Sequence, residues 1–421
     1  MNIAYTKTYL LAIMIISTKV NADAQTKIRP DNFLQKIFSA NPTHFDSIVA
    51  QKDTLKVQVI YTQIDRKKNN KPVFTDHFYH VDPQDYYYPA STVKLPVAIL
   101  ALQKLNELNI PGLDKNTTMI TGAQGYGQTE VENDPTAPDG RPTIAHYIKK
   151  ILLVSDNDAF NRLYEFLGQE YINNNLHKMG YTDIQIIHRL AITLTEEQNR
   201  QSNPVRFIDS SGKVIYEKPA TKSAFVYSIQ DTRIGKGFMR NGKLVNEPFD
   251  FSLKNRMSLQ SLHLILRSVI FPEAMPKKRR FGLTKDDYAF LRLYMSMQPG
   301  ESRFPSYDTG EYWNNYVKMI LFGVDKKDPD PSIRIFSKSG WSYGFLTDAV
   351  YIADFKNNIE FMVTATIYCN ADGILNDDKY DYSKLGYPFM KHLGEALHAY
   401  ELQRKRKHKP DLAAMRFSYA E

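Results

Sequence analysis

The chain has 421 residues, a formal net charge of +8, and 43% hydrophobic, 24% charged and 12% aromatic residues. This composition is that of a globular protein, and it excludes a mainly disordered chain or a low-complexity fibre. The single cysteine, Cys369, excludes an internal disulfide and a cysteine-based zinc site. Paired histidine motifs and glycine-rich phosphate loops are absent from the sequence, so we expect neither a metal nor an organic cofactor.

The N-terminus predicts export. Lys7 precedes an apolar run at 9–16, and Ala22-Asp23-Ala24 supplies a small-residue cleavage site, which is the pattern of a secretory signal peptide over residues 1–24. The apolar run is too short for a permanent membrane anchor; a buried N-terminal helix is the alternative. We expect cleavage after Ala24, a periplasmic or secreted monomer, and no nucleic-acid partner.

Hydrophobic spacing predicts the elements in chain order. They are a helix over 33–49, a hairpin of strands 55–61 and 73–80, mostly helical stretches over 143–167 and 258–297, a hairpin of strands 349–354 and 360–367, and a closing helix over 387–406. Strands at both ends of the chain with helices between them predict an α+β fold. We expect one antiparallel sheet flanked by helices, with a separate helical lobe.

A polar, turn-rich stretch at about 195–255, called the insert below, interrupts this pattern. Its turn residues at 209–213 and 241–243 predict hairpins. We interpret it as an inserted lobe of a catalytic domain over 25–410, followed by a tail over 411–421. The basic run at 404–409 is interpreted as a solvated helix end.

Three short motifs occur in a fixed order, and each has a context that suits catalysis. They are Ser91-Thr92-Val93-Lys94, Ser155-Asp156-Asn157 and Lys338-Ser339-Gly340. A serine hydroxyl is a poor nucleophile until a base removes its proton. Lys94 lies one helical turn from Ser91, and its apolar neighbours predict burial, which favours a neutral amine able to act as that base. A second S-x-x-K match at 210–213 is interpreted as a turn, because no apolar helix follows it.

The second motif places polar groups around the same reaction. We expect Ser155 to pass a proton to the leaving nitrogen and Asn157 to bind Lys94 or a substrate amide. Lys338, from the third motif, would bind a substrate carboxylate.

The residues after Lys338 are expected to act through their backbone. Gly340, after Ser339, permits close approach at a strand edge, where substrate could add as a further strand. The oxyanion would be held by the backbone N–H groups of Ser91 and Trp341. Trp341 and Tyr343 are candidates to line the pocket, and Asp348 is interpreted as a strand-end turn residue.

Together, the motifs resemble those of the penicillin-recognising serine enzymes, most closely the class A β-lactamases. The resemblance includes the local sequence at 88–94 and 153–161 and runs over most of the chain after residue 24. It implies a β-lactamase/transpeptidase-like fold and a serine β-lactamase that opens a β-lactam amide through an acyl-enzyme on Ser91. A small-molecule β-lactam or a cell-wall peptide would be the substrate.

The resemblance also assigns a deacylation base. Class A enzymes carry an omega-loop glutamate that is followed four residues later by asparagine. Here Glu196 or Glu197 could fill that role. Asn199, however, lies three residues after Glu196 and two after Glu197, not four. The alternative is a capping box of Thr193 with Glu196. Without such a base hydrolysis would be slow. The protein would then be a D-Ala-D-Ala peptidase, a penicillin-binding protein or an esterase on the same scaffold; a non-catalytic cell-wall receptor is the remaining alternative.

Overall fold

A computed structural model describes residues 31–124 and 129–419. The proposed signal peptide at 1–24 lies outside the described residues. Within the described ranges, no helix combines the length and the apolar character needed to cross a membrane.

The fold consists of helices, one main sheet with long strands and several small accessory sheets. The helices are α1 Phe33–Ser39, α2 Pro42–Ala50, α3 Lys94–Leu108, α4 Ile144–Val154, α5 Asn157–Leu167, α6 Gln169–Lys178, α7 Glu196–Arg200, α8 Leu259–Ile270, α9 Lys285–Ser296, α10 Met319–Phe322 and α11 Tyr387–Gln403. The strands are β1 Gln58–Arg66, β2 Pro72–Tyr79, β3 Thr118–Thr121, β4 Gln201–Ser202, β5 Val205–Ile208, β6 Val214–Lys218, β7 Thr221–Lys222, β8 Arg233–Ile234, β9 Gly237–Arg240, β10 Lys243–Val245, β11 Phe249–Asp250, β12 Ile333–Ser342, β13 Phe345–Asp354, β14 Ile359–Tyr368 and β15 Ile374–Leu375.

The main sheet is built from both ends of the chain, as expected. Its order is β12-β13-β14-β1-β2, and every neighbouring pair is antiparallel. Because β13 and β14 are buried along their whole length, alternate residues of these strands supply two cores. Tyr351 and Met362 pack toward the helical lobe, while Val350 and Val363 pack toward α1, α2 and α11. The predicted α+β class is therefore confirmed.

The predicted helix over 33–49 is two helices. Asn41 precedes Pro42, which occupies the first position of α2. A proline lacks the N–H needed inside a helix and disfavours helical geometry in the residue before it, so the chain breaks there. The apolar spacing of the two helices nevertheless buries Phe38 and Phe45 in the same core.

The basic run after α11 is not simply a solvated helix end. The helix ends at Gln403, and the Arg404 and Arg406 side chains are largely buried, where both bind the carboxylate of buried Glu401. Arg404 also pairs with Asp65 of β1. Ion pairs to α11 and to β1, which the sequence alone does not display, hold this segment in place.

The insert shares its small sheets with strands from outside it. Its β5 pairs with β3, and its β9 pairs with β15. The two predicted hairpins are present as β5–β6 and β9–β10, with Asn241 and Gly242 at positive φ in the second turn. The C-terminal end of the insert is tied to the segment that precedes it, because Asn255 accepts hydrogen bonds from the backbone N–H groups of Ile187 and His188 at 2.8 and 3.1 Å.

Candidate active site

Ser91 lies in a turn of 3₁₀ helix over 90–93 that leads directly into α3. Ser91 is half-buried and lines a cavity of about 470 Å³. Lys94, the first residue of α3, is fully buried. Pro96 falls in the first turn of this helix, where its missing N–H has no helical partner to lose. The apolar sequence after Lys94 thus fixes a buried helix whose start presents Ser91 to the cavity.

The Lys94 amine is surrounded by neutral oxygen atoms. It donates to the Ser155 carbonyl and to Asn157 Oδ1 at 2.7 Å, and it lies 3.3 Å from Ser155 Oγ. None of the described carboxylates forms an ion pair with it. The pKa of Lys94 is held well below its usual range, mainly by burial and also by the nearby Lys338 ammonium. A neutral amine at this position can accept the proton of Ser91.

Ser155 connects the two lysines. It ends α4 in the left-handed region with φ 62°, and the following Asp156 caps α5 through the Ala159 N–H at 2.8 Å. This backbone conformation is uncommon for a residue other than glycine, so tight packing on both sides must hold it. Lys338 Nζ donates to Ser155 Oγ at 2.9 Å, which leaves the serine hydroxyl placed to relay a proton.

Lys338 lies in the edge strand β12 and is 1% exposed. Its amine also donates to the Ser339 carbonyl at 2.6 Å, and burial lowers the pKa of Lys338 to about 7. Neither Lys338 nor Ser339 lines the cavity, and the Ser339 hydroxyl is buried without a hydrogen-bond partner in the described structure. Of the four residues predicted for the site at 338–341, Trp341 alone lines the cavity.

Buried charge also lies beneath the third motif, and the sequence interpretation missed it. Asp348 is in the middle of β13, fully buried and opposite Ser339, so its assignment to a turn is wrong. Its Oδ2 accepts from the N–H groups of Met319 and Ile320 at 3.0 and 3.1 Å. Burial raises the pKa of Asp348 to about 6, and burial lowers that of nearby Lys318 to about 7. The strand also contains Thr347 and Asp354, so the sequence pattern did not distinguish Asp348.

Gly340 provides the contact between β12 and Ser91. A Cβ atom at this position would lie 2.6 Å from the Ser91 nitrogen and 2.8 Å from the Thr92 nitrogen. Both neighbours are backbone atoms, which cannot move aside like a side chain. Glycine is therefore required for the strand edge to reach Ser91, and this approach supports the proposed oxyanion site at the Ser91 and Trp341 N–H groups.

Glu196 reaches the cavity, but its carboxylate is already bound. It pairs with Arg200 at 2.9 Å and accepts a hydrogen bond from the Tyr227 hydroxyl. These hydrogen bonds lower the pKa of Glu196, which weakens it as a proton acceptor. Glu197 is exposed and pairs with Lys222 at 2.7 Å.

The capping box predicted for this segment is displaced by two residues. Thr195, not Thr193, caps α7, and its partner is Gln198 rather than Glu196. Glu196 is thus the first residue of α7, and its side chain is 46% exposed. Sequence alone could not decide between these caps, since both contain a threonine with a suitable residue three positions later.

The outer wall of the cavity comes from residues that the sequence interpretation did not assign to the site. Tyr227 and Lys254 belong to the insert, and His188 lies in the segment before it that binds Asn255. The His188 ring stacks parallel to Tyr88 with centroids 6.2 Å apart. Tyr343, which was a candidate, also lines the cavity and packs edge-on against Tyr88 at 5.1 Å.

Comparison with known proteins gives a family match over part of the chain. Residues 43–223 match the model of the beta-lactamase enzyme family, and no curated protein matches. Solved structures similar to this chain include a beta-lactamase from Sphaerobacter thermophilus (11% identity, 88% of this chain and 98% of that chain, TM-score 0.47). They also include a class A beta-lactamase from Clostridium kluyveri (15% identity, 85% and 99%, TM-score 0.45). The family match therefore covers the first two motifs, while the third motif lies outside it.

Proposed function

We propose that this protein is a serine hydrolase of the β-lactamase type, which opens a β-lactam amide through an acyl-enzyme on Ser91. The observation that carries this proposal is the buried amine of Lys94, which lies one turn from Ser91 among neutral partners. A lysine in such surroundings is stable as a neutral base, the state that activation of a serine hydroxyl requires.

Acylation would then proceed with balanced proton transfers. Lys94 takes the Ser91 proton as Oγ attacks the amide carbon, and the backbone N–H groups at Ser91 and Trp341 bind the oxyanion. When the C–N bond breaks, Ser155 gives its proton to the leaving nitrogen and regains one from Lys94. The Lys94–Ser155 separation of 3.3 Å supports this relay, and Lys94 ends the step neutral again.

Deacylation would use the same base. Water attacks the ester carbon while Lys94 takes its proton, and the proton then passes to Ser91 Oγ as the C–O bond breaks. This step releases the acid product and regenerates the free Ser91 hydroxyl. We assign this role to Lys94 rather than to Glu196, because the Glu196 carboxylate is held by Arg200 and Tyr227.

A second candidate is a D-Ala-D-Ala peptidase or penicillin-binding protein with the same acylation chemistry. The state of Glu196 favours it, since no described carboxylate that lines the cavity is available to activate water: Glu196 is bound as above, and Asp250 accepts the Ser252 N–H at 2.8 Å. In that case the acyl-enzyme would persist.

The mature protein incubated with a chromogenic cephalosporin, followed by intact mass measurement, tests both candidates. Colour release with the mass of free enzyme supports a β-lactamase. A stable mass increase on the Ser91 peptide supports the peptidase or penicillin-binding protein. If neither signal occurs, the acylation proposal is wrong, and the esterase and cell-wall receptor hypotheses would be tested next with ester substrates and cell-wall fragments.

We also propose that the protein is exported as a monomer and cleaved after Ala24. The A-x-A sequence at 22–24 and the short apolar run before it support export and cleavage. N-terminal sequencing of protein from cell fractions, with size-exclusion chromatography, tests it. A cytoplasmic protein that retains residue 1 would contradict it.

A further inference from the structure

The cavity beside Ser91 lies on the acyl side of the reaction. The groups that would serve the leaving nitrogen, Ser155, Lys94 and Lys338, form one connected cluster, and none of them lines the cavity. Ser91 and Asn157 do line it. The part of the substrate that departs with the nitrogen therefore belongs near Ser155, and the part that stays on Ser91 belongs in the cavity.

Most of the charged side chains that line this cavity within the described ranges already have an ion-pair or hydrogen-bond partner in the protein. Arg189 is held by buried Glu165, and Glu196 is held by Arg200. Asp250 accepts the Ser252 N–H, and Arg233 lies opposite it on the neighbouring strand. Lys254 differs from all of these, because no described carboxylate pairs with it.

The Lys254 ammonium is nevertheless held in place. It lies 5.7 Å from the ring centroid of Tyr343 and 5.8 Å from that of Phe249. Tyr343 sits in the two-residue turn between β12 and β13, and its ring is held there by edge-on packing against Tyr88 at 5.1 Å and Phe251 at 5.4 Å. The next residue, Asn255, is fully buried and binds the backbone at 187–188. A half-buried cation on a fixed support is arranged to bind an anion.

We propose that Lys254 binds a carboxylate on the acyl part of the substrate, so that acyl groups with a negative charge are preferred. This inference rests on the proposed function for its assignment of the acyl side. It differs from the expected role of Lys338, which concerns the carboxylate next to the leaving nitrogen. The insert, rather than the three motifs, would then select the substrate.

Binding to a Ser91→Ala variant of the mature protein tests this without requiring acylation. The probes are benzylpenicillin and carbenicillin, which differ only by a carboxylate on the acyl side chain. Titration calorimetry should give carbenicillin an affinity about five to ten times higher, as expected for a charge-assisted hydrogen bond in a partly exposed site. Adding Lys254→Met should abolish the difference, and Lys254→Arg should retain it. Lys243→Met, at an exposed lysine of the same insert outside the cavity, is the matched control and should leave the difference unchanged.

Equal affinity for the two probes would overturn the inference, and so would a carbenicillin preference that survives Lys254→Met. The proposed function is judged separately, from the mass of the wild-type protein after exposure to benzylpenicillin. A carbenicillin preference that depends on Lys254, in a protein whose Ser91 is never acylated, would support the binding site while refuting the hydrolase.

Discussion

The motif side of the site, which reaches the cavity through Ser91 and Asn157, and the insert, which reaches it through Tyr227 and Lys254, are built in different ways. Ser91 lies in the turn that leads into α3, Lys94 begins that helix and Lys338 belongs to the main sheet; both lysines are buried. Tyr227 and Lys254 belong to a loop with short strands, and both are only half-buried. Rigid elements suit groups that must hold a reacting atom, whereas loops tolerate change in the residues that contact different substrates. Substitutions on the motif side should therefore change the chemistry, and substitutions on the insert should change substrate choice.

The largest effect is expected from Ser91→Ala. Removing the nucleophile should abolish formation of a covalent adduct, measured by intact mass after incubation with benzylpenicillin. Ser210→Ala is the matched control, because Ser210 begins the other S-x-x-K sequence and is exposed in a hairpin turn. A covalent adduct in the Ser91→Ala protein would show that the nucleophile is elsewhere.

Gly340→Ala should be the next most damaging change. The added Cβ would meet the backbone nitrogen of Ser91 at 2.6 Å, so the strand edge and the nucleophile must separate. We expect acylation to slow by about a hundredfold, since sub-ångström placement of reacting groups is lost, and stability to fall by about 1–3 kcal/mol from overpacking. Stopped-flow acylation and urea unfolding measure the two effects.

Gly282→Ala is the control for that substitution. Its Cβ would meet only the flexible side chain of Gln103, at 3.4 Å. It should leave acylation within about twofold of the wild type, because the nearest atoms can move aside. Full activity in Gly340→Ala would contradict the role of the close contact.

The pH dependence should separate the two lysines of the motif side. Burial lowers the pKa of Lys338 to about 7 from a usual value of 10.5, so its charge is present below that pH and lost above it. Acylation by benzylpenicillin, whose carboxylate needs a cation, should fall as pH rises through about 7. The methyl ester of the same compound lacks that charge and should show no such fall.

The acid side of the same profile reports on Lys94. Because its pKa lies well below the usual lysine range, acylation by the methyl ester should level off well before pH 10 and decline on acidification. Acylation that instead rises steadily toward pH 10 would show that Lys94 is an ordinary ammonium ion and would contradict its role as the base. Stopped-flow rates over pH 4–10 make both comparisons.

Glu196→Gln should have the smallest effect. Its carboxylate is held by Arg200 and Tyr227, so the loss should alter deacylation by less than about threefold and stability by less than about 1 kcal/mol, as for exposed ion pairs. Glu197→Gln is the matched control on the same helix. Accumulation of acyl-enzyme in Glu196→Gln alone would establish Glu196 as the deacylation base and would move part of the chemistry onto the insert.

The local structure of the motif side was largely predictable, because it follows short-range sequence rules. Ser91 and Lys94 are one helical turn apart, and the apolar residues that follow predict both the helix and the burial of the lysine. Ser155 ends a helix whose apolar spacing is clear. The helix break at Pro42 was also encoded locally, and it was missed because apolar spacing was given more weight than the proline.

The remainder of the site depended on contacts between distant residues. Asp348 lies opposite Ser339 only because β12 and β13 pair in one register, and Lys254 reaches the cavity only because Asn255 ties the end of the insert to 187–188. Glu196 has the residue type expected of a base, but its carboxylate is already bound by Arg200 and Tyr227 and is therefore not free to accept a proton. The sequence by itself determined the α+β class and the burial of Lys94 one helical turn after Ser91, because these follow from local spacing. The tertiary structure decided which charges are free inside the cavity, because pairing between charged groups depends on distances that only the fold sets.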